Sequence, residues 1–185
     1  MRKNEKLREP AFTPSTKEQE HDRNVTPQEI VETGLLARDL LARVEDAARR
    51  LFQRGQELAC ARGLILVDTK YEFGLDADGA LTLIDEIHTP DSSRYWQAAS
   101  YEARVARGLE PDYFDKEFLR LWFIEHCDPY KDAVLPEAPA EMVEELSRRY
   151  AAIFTQLTGE NVSVAEENIE ERIRRNLAAQ LRQAS

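Results

Sequence analysis

Cysteine, glycine clusters and long apolar runs are all scarce in this chain of 185 residues. The two cysteines, Cys60 and Cys127, are too few and too far apart for a disulfide framework or a zinc site. No apolar run reaches the length of a membrane span and the N-terminus has no signal-peptide pattern, so we expect a cytoplasmic protein without a membrane partner. The seven glycines form no cluster of the kind that cradles phosphate groups.

Basic residues are also fewer than acidic ones. The chain has 25 lysines and arginines against 35 acidic residues, which gives a formal net charge of -10. Binding of nucleic acid depends on clustered basic side chains, so this balance argues against a nucleic-acid partner. Hydrophobic residues make up 42% of the chain and charged residues 32%, a composition typical of a globular domain rather than a disordered one.

The region 63–96 has the clearest strand pattern in the sequence. An apolar run is followed by alternation, a turn at 76–79 and further alternation, which predicts a β-hairpin. We expect the turn to close with Leu75 facing Ala80. Because side chains alternate between the faces of a strand, four charged residues would then share one face of the hairpin: Asp68, Lys70, Glu72 and Asp85.

Two interpretations of this charged face stay open on the residues alone. The side chains can form a solvated surface on which opposite charges pair across the strands, each pair contributing well under about 1 kcal/mol. Alternatively, the carboxylates hold magnesium, which takes one or two carboxylates together with substrate phosphates, and the lysine meets those phosphates. The next segment, 89–94, adds an acid, two serine hydroxyls and the guanidinium of Arg94, which suit the recognition of a polar substrate.

Helical patterns flank the predicted hairpin. Thr26 can cap a helix that runs to residue 62, with a break at Gly34 and an end at Gly63. Further helical patterns cover 113–126 and 140–157.

The C-terminal segment 160–185 carries a single apolar stripe. Such a stripe usually docks on its own domain, which is the outcome we expect here, and the alternative is a helix that pairs with a partner chain. The stripe consists of Ile169, Ile173, Leu177 and Leu181.

Six short motifs follow one another along the chain. They are FTPSTK at 12–17, HD at 21–22, DTKYEFG at 68–74, DE at 85–86, TPDSSRYW at 89–96 and FDKEFLRLW at 114–122. Together they resemble the SAICAR synthetase (phosphoribosylaminoimidazole-succinocarboxamide synthase) family, over about residues 6–159.

The resemblance implies an α+β fold, the C-terminal lobe of an enzyme similar to the ATP-grasp group, with a hairpin-centred antiparallel sheet packed by helices. It implies an extended arm lining the site at 1–25 and a domain at 26–159. The amphipathic helix predicted from the apolar stripe at 160–185 follows as a third part. The resemblance also implies that the nucleotide-binding N-terminal lobe is missing. A separate lobe or a homo-oligomer would then have to complete the enzyme, and the chain alone would be nearly inactive.

The implied activity is that of a purine-biosynthesis ligase, which joins L-aspartate to carboxyaminoimidazole ribonucleotide with ATP hydrolysis. The cofactors would be ATP and Mg²⁺. The alternatives are a non-catalytic or regulatory module that keeps the family fold, and a different enzyme that uses the same acids with another nucleotide.

The resemblance also implies roles for individual residues. Lys70, Glu72 and Asp85 would be catalytic, and Glu72 and Asp85 would hold the metal, with Asp68 and Glu86 as second choices. The substrate-binding residues would be Asp91, Ser93, Arg94, Lys17 and Asp22.

Overall fold

The chain forms six helices and six strands within the residues that the computed structural model describes, which are 3–16, 22–114, 116–129, 131–163 and 168–183. The strands are β1 (Ser15–Thr16), β2 (Arg23–Asn24), β3 (Leu64–Thr69), β4 (Phe73–Leu75), β5 (Leu81–Leu83) and β6 (Ser93–Gln97). The helices are α1 (Pro27–Glu32), α2 (Arg38–Ala61), α3 (Ala98–Ala106), α4 (Glu117–His126), α5 (Ala140–Thr158) and α6 (Ile169–Gln183). These elements confirm the predicted α+β class.

The predicted helical region after Thr26 forms α1 and α2. The hydroxyl of Thr26 accepts a hydrogen bond from the backbone N–H of Glu29 at 3.1 Å, which caps α1 as expected. Gly34, with a φ of +72°, provides the break between the two helices. Gly63 has the same φ and ends the long helix α2, so the predicted break and end are both confirmed.

The central sheet pairs β3 with β6 and not with the next strand along the chain. The antiparallel register runs from Leu64 opposite Gln97 to Thr69 opposite Ser93, and the N–H of Lys70 extends it by donating to the carbonyl of Ser92 at 3.0 Å. The prediction of one hairpin-centred sheet is therefore wrong in its pairing, although the antiparallel direction is correct. Within the described residues there are three separate two-stranded sheets, β1–β2, β3–β6 and β4–β5.

Burial explains why β3 selects β6. Leu64, Leu66 and Tyr95 are each at most 2% exposed, so the paired strands contribute these three side chains to one core. The short hairpin β4–β5 offers much less burial, because Leu75 remains 53% exposed. The chain consequently leaves the central sheet after β3 and returns to it at β6.

The hairpin β4–β5 has a register one residue away from the predicted one. Leu75 lies opposite Leu81 and not Ala80. The turn is a residue longer because the carboxylate of Asp76 accepts hydrogen bonds from the backbone N–H groups of Asp78 and Ala80, at 3.0 and 2.8 Å. A one-residue shift exchanges the faces of the hairpin on which side chains lie, and Ile84 pairs with Glu72. The hairpin pairing therefore does not place Asp85 on the common face predicted for it with Lys70 and Glu72.

The helices α2 and α5 cover the central sheet. The core consists of Ala59, Leu64, Leu66, Tyr95 and Ile153, with Phe52, Phe114 and Leu157 packed against it. The predicted helix at 113–126 begins later, at Glu117, because Tyr113 bridges to Trp96 and the N–H of Phe114 donates to the carbonyl of Tyr95 at 3.3 Å. These two residues extend the sheet edge before α4 starts.

The N-terminal segment runs over the surface of two helices. The ammonium group of Lys3 and the side-chain amide of Asn4 lie 2.6 and 2.8 Å from the carboxylate of Glu110, close after α3. Further on, the guanidinium of Arg49 in α2 donates to the carbonyl of Pro10 at 2.9 Å. These contacts lead the segment from α3 across α2 towards β1.

The stripe of α6 remains exposed, contrary to the expected docking on its own domain. Its apolar side chains keep between 50% and 70% of their surface accessible: Ile169, Ile173, Leu177 and Leu181. The core face of the central sheet is already covered by α2 and α5. Of the described helices, none has the length and hydropathy to span a bilayer.

The core packing leads to a direct prediction. Replacing the fully buried Ile153 by alanine should lower the free energy of unfolding by about 2–5 kcal/mol, because the side chain leaves a cavity between α5 and the sheet. Urea denaturation followed by circular dichroism measures this change. The same substitution at Ile124, which is 48% exposed on α4, is the control and should change stability by less than about 0.5 kcal/mol. Equal losses for the two variants would contradict this description of the core.

Candidate functional site

Lys70 lies at the centre of the predicted charged cluster. It directly follows β3, and its ammonium nitrogen is 2.9 Å from a carboxylate oxygen of Asp22 and 3.0 Å from one of Glu72. Hydrogen bonds to Asp22 and then to Glu72 raise the pKa of Lys70 above its ordinary value. The lysine is therefore a fixed positive charge at neutral pH, and the structure brings together three of the predicted site residues.

Asp22 reaches this cluster through the pairing of the first two strands. It directly precedes β2, which pairs with β1 in antiparallel register, and the N–H of Val25 donates to the carbonyl of Pro14 at 3.0 Å. Val25 is itself buried in a small apolar cluster with Ile30 and Leu41. The predicted substrate-binding residue Lys17 lies outside the described residues.

Glu72 and Asp85 lie on two segments that meet at the base of the β4–β5 hairpin. The N–H of Ile84 donates to the carbonyl of Glu72 at 3.0 Å, so Asp85 follows directly on the residue that pairs with Glu72. The side chain of Glu72 is only 19% exposed, whereas Asp85 is exposed. In the part of the chain that the structure describes, no three His, Cys, Asp or Glu side chains group in a way that could hold a metal ion.

Residues 86–94 form a compact turn that leads into the first two residues of β6, and we call this segment the 86–94 loop. The hydroxyl of Thr89 donates to the carboxylate of Glu86 and accepts from the N–H of Ser92 at 3.2 Å. The carbonyl of Thr89 accepts from the N–H of Ser93 at 2.9 Å. Thr89 therefore holds the shape of the loop from its centre.

The predicted binding residues of this loop differ in their access to solvent. Ser93 is 3% exposed, and its hydroxyl donates to that of Thr69 on β3 at 2.8 Å. Asp91 is exposed and forms an ion pair with Lys116. That pairing raises the pKa of Lys116.

Arg94 is also exposed, and it pairs with the residue that faces it across the central sheet. Asp68 lies opposite Arg94 in the register of β3 and β6. The Nε atom of the guanidinium lies 2.9 and 3.0 Å from the two carboxylate oxygens, and Nη2 forms a further bond. Asp68 thus gives Arg94 a defined orientation at the edge of the cluster.

His88 is a residue of this region that the sequence patterns did not reveal. Its Nε2 atom is hydrogen-bonded to the hydroxyl of Tyr71 at 2.5 Å, and its carbonyl accepts from the hydroxyl of Tyr95 at 2.7 Å. Burial lowers the pKa of His88 and raises the pKa of both tyrosines, that of Tyr95 to about 12. The signal that could have found it is Gly55, since a glycine inside a long helix often marks a close approach.

Comparison with known proteins identifies the family of the chain. The family model for SAICAR synthetase matches residues 1–137. The phosphoribosylaminoimidazole-succinocarboxamide synthase of Legionella pneumophila (strain Lens) is 55% identical over 161 residues, which are 87% of this chain and 52% of that protein. The chloroplastic synthase of Arabidopsis thaliana is 52% identical over 181 residues, which are 97% of this chain and 44% of that protein. The chain spans about half the length of these curated relatives.

Solved structures agree with the sequence comparison. The SAICAR synthase of Saccharomyces cerevisiae in complex with SAICAR superposes with a TM-score of 0.68 at 36% identity, covering 85% of this chain and 49% of that one. A SAICAR synthetase in complex with ADP superposes with a TM-score of 0.62 at 26% identity, covering 85% of this chain and 55% of that one. From its sequence and its fold, the chain belongs to the SAICAR synthetase family.

Proposed function

We propose that this chain supplies the acidic and substrate-binding part of a purine-biosynthesis ligase, which joins L-aspartate to carboxyaminoimidazole ribonucleotide at the expense of ATP. The observation that carries the proposal is the position of Lys70, which lies about 3 Å from both Asp22 and Glu72 in a member of this family. The exposed ion pairs of Asp91 and Arg94 belong to the loop that leads back to the same sheet. A fixed cation among acids next to a polar loop suits a reaction between a phosphate donor and an amino acid.

The acids present fit a magnesium ion that is shared with substrate phosphates. Magnesium is usually bound by one or two carboxylates, with phosphate oxygens and water completing its six ligands. We assign those two carboxylates to Glu72 and Asp85, because Ile84, which precedes Asp85, pairs with Glu72 at the base of the hairpin. When bound, the ion would neutralise negative charge on the transferred phosphoryl group.

Lys70 would bind and orient the phosphate groups of the substrates. Its raised pKa keeps the ammonium group protonated at neutral pH, and Asp22 and Glu72 fix its position. In the proposed reaction ATP phosphorylates a carboxylate of the ribonucleotide, and the amine of aspartate then displaces the phosphate. Alignment of the two reactants is the main requirement for such a displacement.

Arg94 and Asp91 would bind the charged groups of aspartate. The guanidinium of Arg94 can bind both oxygens of a carboxylate, and the carboxylate of Asp91 can accept from the amine. Each is held by an exposed partner, Asp68 or Lys116, and such pairs are weak enough for a substrate to compete with them. We assign Ser93 a supporting role, because its buried hydroxyl ties the loop to β3.

We further propose the division into an arm at 1–25, a domain at 26–159 and a C-terminal amphipathic helix at 160–185. The contacts of the N-terminal segment with α3, α2 and Lys70 support an arm that reaches the site. A separate nucleotide-binding lobe or a second copy of the chain would complete the active site. Lys17 stays a predicted substrate-binding residue of the arm.

The function is tested by measuring product formation from L-aspartate, carboxyaminoimidazole ribonucleotide and Mg-ATP. The chain is assayed alone and mixed with the remaining half of the Legionella pneumophila relative. Because the chain spans about half the length of that relative, we expect product only in the mixture. If neither sample forms product, while binding of Mg-ATP is also absent by calorimetry, the non-catalytic alternative replaces this proposal.

Removal of a proposed metal ligand should reduce this activity strongly. Glu72→Gln and Asp85→Asn should each lower kcat/KM in the mixed assay by about 10²–10³, because each removes charge stabilisation of the transferred phosphoryl group. Asp78→Asn, an exposed acid at the tip of the same hairpin, is the matched control and should leave the activity within about twofold. Activity of the Glu72 and Asp85 variants close to that of the control would rule out their assigned role.

A further inference from the structure

We infer that His88 is a positioning residue that fixes the 86–94 loop and thereby places Asp91 and Arg94, an inference that rests on the proposed function only for the identity of the ligand. The residue has a constrained backbone, its ring contacts Gly55 and Tyr71, and its carbonyl oxygen contacts Tyr95.

The backbone of His88 adopts an uncommon conformation. Its φ is +55°, and among the described residues the only other non-glycine residue with a positive φ is Asn4. Residues other than glycine rarely adopt a positive φ, and they keep it only where surrounding contacts hold the backbone in place. The conformation directly precedes Thr89, whose hydroxyl and carbonyl organise the loop. A change at His88 would therefore turn the whole loop relative to β3.

The ring of His88 occupies the space that Gly55 leaves open on α2. A Cβ atom built on Gly55 would lie 2.4 Å from the Cε1 atom of His88 and 2.7 Å from a methyl carbon of Leu66. A Cβ atom essentially never makes contacts this short, so the close approach of ring and helix requires glycine at this position. The imidazole is thereby fixed against the long helix that covers the core.

The polar atoms of His88 connect the two segments that carry the candidate site. Its Nε2 atom is bonded to the hydroxyl of Tyr71, which stands between Lys70 and Glu72 in the sequence. Its carbonyl accepts from the hydroxyl of Tyr95, which follows Arg94. His88 thus connects the segment after β3, where Lys70 and Glu72 are proposed to bind phosphate and metal, to β6, where Arg94 is proposed to bind aspartate.

Two substitutions separate the ring from the backbone. His88→Gly keeps the positive φ and removes the ring, whereas His88→Asn tolerates this φ and keeps a short polar side chain. Gly55→Ala leaves His88 intact and displaces its ring from the helix. Gln53→Ala, at an exposed position half a turn earlier on α2, is the matched control.

Amide hydrogen exchange followed by NMR tests the positioning without any ligand. In His88→Gly and in Gly55→Ala, we expect the amides of Ser93 and Lys70 to exchange about tenfold faster than in the parent chain. The amide of Ser93 donates to Thr89 within the loop, and the amide of Lys70 joins the loop to the end of β3. The amide of Ile153 in the core should stay within about twofold, and His88→Asn should recover part of the protection. Unchanged exchange at Ser93, or equal acceleration at Ile153, would overturn the inference.

The double variant checks that Gly55 acts through His88. Of the three atoms nearest to the added methyl group, two belong to the ring of His88 and the third is a terminal methyl carbon of Leu66. Gly55→Ala should therefore add less than about twofold to the exchange rate of Ser93 in the His88→Gly background. Fully additive effects would show that the two residues act separately, and would contradict the inference.

The aspartate side is examined in the assay with the remaining half of the relative. His88→Gly should raise the KM for L-aspartate by about tenfold and change the KM for ATP by less than about twofold, because Asp91 and Arg94 lie on the displaced loop. An unchanged KM for aspartate in an active sample would contradict the binding of aspartate at Asp91 and Arg94. If the unsubstituted chain forms no product, the proposed function fails, and hydrogen exchange still decides whether His88 positions the loop.

Discussion

The pairing of β3 with β6 is the interaction on which the rest of the structure depends. It buries Leu64, Leu66 and Tyr95 against α2 and α5, and it places Arg94 opposite Asp68, a residue 26 positions earlier in the sequence. All the chain between these strands, with the hairpin and the 86–94 loop, is then confined to the end of one small sheet. The candidate site is a consequence of this confinement.

The electrostatics of the site follow from the same arrangement. Lys70 is held by Asp22 and Glu72, Arg94 by Asp68, and Lys116 by Asp91, so each of these cations has a carboxylate partner. Exposed pairs of this kind contribute little to stability and exchange partners easily. Under the proposed function, the carboxylate and amine groups of the substrate would compete for these partners. Glu72 differs from the others, because its low exposure makes its charge more expensive to leave without a partner.

Local signals in the sequence predicted local structure well. The cap at Thr26, the breaks at Gly34 and Gly63 and the helix that became α5 are all confirmed, since each depends on a few neighbouring residues. The predicted pairing of β3 was wrong because the observed pairing is decided by burial of residues that are far apart in the sequence. The hairpin register was wrong by one residue because the side chain of Asp76 accepts two backbone hydrogen bonds and lengthens the turn.

The same contrast between local and long-range signals applies to the residues of the site. The neighbours Lys70 and Glu72 were expected together and are together, and Asp22 joins them through an arm whose path no periodicity predicts. His88 was missed because a single histidine has no pattern, and its importance depends on the space over Gly55.

Paramagnetic broadening gives the most direct test of the central claim that Glu72 and Asp85 share one metal ion. Mn²⁺ with ADP is titrated into the ¹⁵N-labelled chain, and loss of amide signals is followed by NMR. The amides of both residues should broaden first, and those at the hairpin tip around Asp78 should persist. Early loss at Asp78, or at only one of the two acids, would contradict the claim.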